Sequence, residues 1–117
     1  MKPATDQGLR DLKVTLLQGM MEFMREAGGS YAEADVQRCR EILDEFEAAI
    51  SGAVAREEAL AQVRKAVLDL NALNNGCRGS LIETDQREMI CEFIIQTTAR
   101  RGFVSPDEDV TLEWREW

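Results

Sequence analysis

The residues able to carry chemistry are few in kind. The chain has 22 carboxylates and 3 cysteines but no histidine, which removes the commonest general base and the commonest transition-metal ligand together. Cys39, Cys77 and Cys91 are odd in number, widely spaced and without a Cys-x-x-Cys pair. Neither a disulfide framework nor a structural zinc site follows from them. They read as free thiols, which pack as small hydrophobes. Cys77, within Gly76-Cys77-Arg78-Gly79, reads as a loop thiol open to solvent, either ordinary or activated by the Arg78 charge beside it. The same stretch is too short for a phosphate-binding glycine loop and follows a helix rather than a strand. Asp107, Asp109 and Thr111 have the alternation that opens a calcium loop, but the sixth position, which needs glycine, is Leu112. The sequence contains no catalytic, cofactor or metal constellation, and the expectation is a protein that is not an enzyme.

Binding residues are easier to nominate. Glu41, Asp44, Glu45 and Glu47 crowd one helical segment, where Arg40 is spaced to pair with Asp44. The tail carries Trp114-Arg115-Glu116-Trp117, and tryptophan and arginine dominate interface hot spots. Two readings of the tail stand: the tryptophans plug one end of the fold, because aromatics bury large areas, or they form an exposed anchor. The candidate partner-binding set is therefore Glu41, Asp44, Glu45, Glu47, Trp114, Arg115 and Trp117. Asp85, Arg87 and Glu88 offer a further polar cluster, or ordinary solvated residues at a helix start.

Net charge is −8. Residues 30–52 and 103–117 carry −4 each, while 81–102 carry only −1. Such a surface repels nucleic acid and anionic membrane and attracts a basic protein. No apolar run reaches the roughly 18 residues of a membrane span. The N-terminal stretch has no signal-peptide apolar region, so the expected location is the cytoplasm.

The elements that must hold these residues are helical. Leu9, Leu12, Leu16, Met20, Phe23, Met24 and Ala27 recur at helical spacing, and Gly28-Gly29 offers a stop. Ser30 with Glu33 has a capping-box pattern for a second helix, whose stripe is Val36, Cys39, Ile42, Leu43, Phe46 and Ile50. A third helix spans about Arg56 to Asn74, with Leu60, Val63, Val67, Leu70 and Leu73 inward and Asn74-Asn75-Gly76 as its stop. A fourth covers roughly Glu83 to Arg101, capped by Ser80 with Glu83 or by Thr84, with Ile90, Phe93, Ile94 and Thr97 inward. A final turn starts at Ser105 or at Thr111.

Leu81-Ile82-Glu83-Thr84-Asp85-Gln86-Arg87-Glu88, Phe93-Ile94, Gly102-Phe103 and Asp109-Val110-Thr111 with the closing Trp114-Arg115-Glu116-Trp117 resemble small bacterial helical proteins of unknown function. The resemblance covers the C-terminal third, and implies a bacterial, helical, cytoplasmic protein and no catalytic residue.

The expected fold is all-α: one domain, a four-helix up-and-down bundle closed by a short C-terminal helical turn. The expected function is a non-enzymatic acidic protein-binding module without cofactors, of the toxin-neutralising kind. Two alternatives stand beside it. One is a small carboxylate-based enzyme or ligand-binding domain; the other is a homodimeric module joined through spare apolar positions such as Val14 and Met21.

Overall fold

The computed structural model describes residues 5–27 and 31–117. Four helices follow in order: α1 Asp6–Ala27, α2 Glu33–Gly52, α3 Arg56–Gly76 and α4 Thr84–Arg100, with no strand among the described residues. Each helix has one apolar stripe, and a bundle buries all four stripes in one core. Leu9, Leu16 and Met20 of α1 meet Val36, Cys39, Ile42, Leu43, Phe46 and Ile50 of α2 there, with Val63, Val67 and Leu70 of α3 and Ile90, Phe93 and Ile94 of α4. In space α2 packs on α3 and α1 on α4, with α1 against α2 between these pairs; α3 and α4 are not packed closely on each other.

Helix ends depart from the sequence reading. α1 starts earlier than Leu9, because the Thr5 hydroxyl accepts the Gly8 N–H at 3.0 Å. The Gly28-Gly29 stop and Ser30 lie outside the described residues. α2 is bounded by Ala32, whose N–H donates to Asp35 Oδ2 at 2.9 Å; Glu33 is the first helical residue rather than the distal half of a capping box. α4 is bounded by Glu83, whose N–H donates to Gln86 at 3.1 Å. Neither Ser80 nor Thr84 caps it, since Ser80 Oγ donates instead to the Cys77 carbonyl. α3 runs through Gly76, and its stop lies two residues later. Arg78 and Gly79 both adopt left-handed backbone, at φ 58° and 75°, which turns the Gly79 N–H back onto the Asn74 carbonyl at 2.8 Å. Phe23, expected inward, is instead 42% exposed and stacks on Tyr31 at the bundle edge.

Beyond Gly102 (φ 78°) the chain has no further helix. Ser105 closes only a tight turn to Glu108, so the earlier of the two expected starts is not used. Thr111 is the start of the last turn: its carbonyl accepts the Arg115 N–H at 3.1 Å, one helical turn and no more. This tail lies between α3 and α4. Asn71 of α3 donates to the Trp114 carbonyl at 2.8 Å and accepts the Glu116 N–H at 3.1 Å, while Arg115 reaches Cys91 of α4. Covered by α1 on one side and the tail on another, α4 buries not only its expected stripe but also Cys91, Gln96, Thr98 and Ala99.

Two neighbouring arginines have unequal roles. Arg101 donates to the carbonyls of Ile50, Ser51 and Ala53 at 2.6, 2.8 and 2.9 Å; the Ile50 carbonyl also accepts the Ala53 N–H, and the other two lie where a helix end is short of backbone donors. Arg100 pairs with exposed Asp6 and holds that carboxyl below its usual range through a hydrogen bond and charge. We expect Arg101→Ala to lose about 1.5–3 kcal/mol, since charge-assisted bonds are removed and carbonyls stranded. Arg100→Ala should lose distinctly less, because its pair with exposed Asp6 is screened by solvent. Urea unfolding of the two variants checks this; equal losses would show that Arg101 is not a cap.

Candidate functional site

The acidic segment was the first candidate, and its carboxylates are occupied. Lys13 of α1 donates to Asp44 at 2.6 Å and Glu47 at 3.0 Å. Arg38 meets Glu41 and Glu45 at 3.4 and 3.5 Å, Arg40 meets Asp44 at 3.7 Å, and Lys65 of α3 meets Glu45 at 3.9 Å. Lys13 is drawn in far enough for its ammonium to lie 5.6 Å from the Phe93 ring centre. Burial by itself disfavours the charged lysine, but the two carboxylates outweigh it and hold the ammonium above its ordinary pKa. Glu41, Asp44, Glu45 and Glu47 of α2 are thus all in ion pairs; the local excess of −4 already counts Arg38 and Arg40, and Lys13 of α1 with Lys65 of α3 answers half of it.

The tail candidates are drawn into the fold. Trp114 and Trp117 are half-buried and pack against the core. Arg115 lies 2.9 Å from Cys91 Sγ through Nη1 and 5.6 Å from the Trp117 ring centre. Its other amino group is 3.9 Å from Asp109, whose Oδ1 accepts both the N–H and the hydroxyl of Thr111. Asp109 and Thr111, which had the alternation of a cation loop, are a local turn lock. Trp117 Nε1 is buried without an acceptor among the described residues.

On α4 the polar cluster resolves differently. Asp85, Glu88 and Glu92 are exposed, and their spacing of three and four residues places them on one outward stripe. None of the three has an ion pair among the described residues. The sequence concealed this because residues 81–102 sum to only −1. Two of the compensating charges, Arg100 and Arg101, are spent on Asp6 and on the carbonyls of α2. In the sequence, Glu92 is marked only by its position four residues after Glu88.

A second exposed feature lies between α1 and α2: a groove of 430 Å³ with Leu17, Met21 and Val36 along it and Gln18, Glu22, Arg25, Gln37 and Arg40 around them. Val14, one turn before Leu17 and Gln18, is 50% exposed. The described residues contain no group of three or more cysteines and carboxylates placed to hold a metal ion. No helix among them is long and apolar enough to cross a membrane. The chain matches no family model, and the searches of curated proteins and of solved structures found no match.

Cys77 corrects the sequence reading. It is 3% exposed because the loop after α3 folds inward: buried Asn74 accepts the Ile82 N–H at 2.9 Å. Burial raises the thiol pKa, and the Asp35 carboxylate raises it further by charge and hydrogen bonding, so of the two readings the one in which Arg78 activates the thiol is opposite to the direction found. Cys39 is pushed up to about 12 by burial. We expect neither thiol to react with a maleimide or disulfide reagent at pH 8 in the native state, and both to react in denaturant. Mass spectrometry of the labelled sites checks this, and native labelling of Cys77 would show that the loop opens.

Proposed function

We propose that this chain is a non-enzymatic protein-binding module that receives a basic protein partner on the outer face of α4, as a toxin-neutralising protein does. What carries the reading is the difference between the two acidic helices. Glu41, Asp44, Glu45 and Glu47 of α2 each have a basic partner within the molecule, whereas Asp85, Glu88 and Glu92 remain exposed without one among the described residues. Glu88 and Glu92 are four apart on one helix, and like charges so placed cost about 0.2–0.5 kcal/mol. A binding surface tolerates that cost, because a lysine- or arginine-rich partner relieves the repulsion on docking and is steered toward it from solution. The three unpaired cysteines support a reducing compartment such as a bacterial cytoplasm.

The test is a double variant, Glu88→Gln with Glu92→Gln, used beside the wild-type chain as bait in extract from the native cell. The wild type should retain a basic protein at about 50 mM salt and release it near 500 mM, as a pairing of exposed charges requires. The variant should lose the capture while melting at the same temperature or slightly higher, since a repulsion has been removed. Undiminished capture by the variant, or a captured protein that is not basic, would contradict the assignment.

A further inference from the structure

The groove between α1 and α2 plays no part in the acidic stripe of α4, and its chemistry fits another occupant. Its apolar positions Leu17 and Met21 are partly exposed above buried Val36 and continue into half-exposed Val14, an apolar strip open to another protein. Its charged positions have both signs: Glu22 and Arg25 have no ion pair among the described residues, and Arg40 is held only by Asp44 at 3.7 Å. A basic partner would meet two arginines here, and an acidic one would meet Glu22. The polar positions between them, Gln18 and Gln37, are amides, which donate and accept equally.

A patch that has both charges and is otherwise amide and apolar is complementary to itself, which is what a two-fold interface demands of its surface.

We infer that the α1–α2 face is a homodimer interface, in which Met21 and Leu17 of one copy pack on the same residues of a second copy and Glu22 and Arg25 pair across it. The outer face of α4 stays open in such a dimer, so each copy keeps its acidic stripe. Sedimentation equilibrium of the full chain under reducing conditions tests this. The wild type should fit a monomer–dimer equilibrium, and Met21→Glu should raise the dissociation constant at least tenfold while helicity by circular dichroism is unchanged. Glu22→Arg and Arg25→Glu should each weaken the dimer several-fold, and the two together should recover it. A wild-type chain that sediments as a monomer up to millimolar concentration overturns the inference. So does association that Met21→Glu leaves intact, or a charge-reversed pair that recovers nothing. The α4 variant Glu88→Gln/Glu92→Gln should dimerise as the wild type does, which separates failure of this interface from failure of the partner-binding reading.

Discussion

Asn71 lies inside the molecule with both ends of its side-chain amide occupied by the main chain of the tail. It donates to the carbonyl of Trp114 and accepts the N–H of Glu116, two groups that an extended segment presents on the same edge. A neighbouring strand would ordinarily satisfy them; here one side chain on a helix does so. The arrangement answers two demands at once. A buried amide without partners costs on the order of 1–3 kcal/mol, and main chain packed against a core needs its polar groups satisfied. With that clamp in place the tail closes the side of the bundle where α3 and α4 do not pack on each other. Trp114 and Trp117 then supply the apolar contact, and Arg115 and Thr111 reach Cys91 on the α4 side. Arg56 fastens the beginning of the tail by donating to the Phe103 carbonyl and to Glu108.

This closure decides which surfaces are left for function. The aromatic residues that would make the strongest anchor are committed to the chain's own core. The acidic face of α2 is committed as well, to Lys13 from a position 31 residues earlier and to Lys65 from α3. Among the surfaces that keep uncommitted charge or apolar area are the outer stripe of α4 and the groove beside α1. Their chemistries differ, one uniformly acidic and the other of mixed sign around an apolar strip, so they suit different partners.

Much of the framework is legible in the sequence because helical burial is periodic. The stripe from Val36 to Ile50 is buried as its spacing requires, and so is the stripe from Ile90 to Thr97. Helix ends are less legible, since several residues compete to cap. At the start of α4, Gln86 acts where Ser80 and Thr84 had equal or better local credentials. What depends on long-range pairing is not legible at all. Asn71 and Asn74 are polar residues on a helix until the tail and the inward loop arrive to use them. Cys77 looks exposed between glycines until that same loop folds in. The acids of α2 look free because Lys13 and Lys65 are distant in sequence. The stripe on α4 looks weak because Arg100 and Arg101 are counted with it, although neither is near enough in role to neutralise it.

The chain's only two tryptophans are both in the tail, so intrinsic fluorescence reports the tail while far-ultraviolet circular dichroism reports the four helices. That makes an Asn71→Ala variant, melted with both signals recorded, the most direct test of the clamp. The account predicts that the variant's fluorescence shifts to the red at temperatures where the wild type is unchanged, and before its own helical signal is lost. The tail would then have left a bundle whose helices persist. Fluorescence and dichroism melts that superimpose on those of the wild type would contradict it, and would mean that Asn71 does not hold the tail in place.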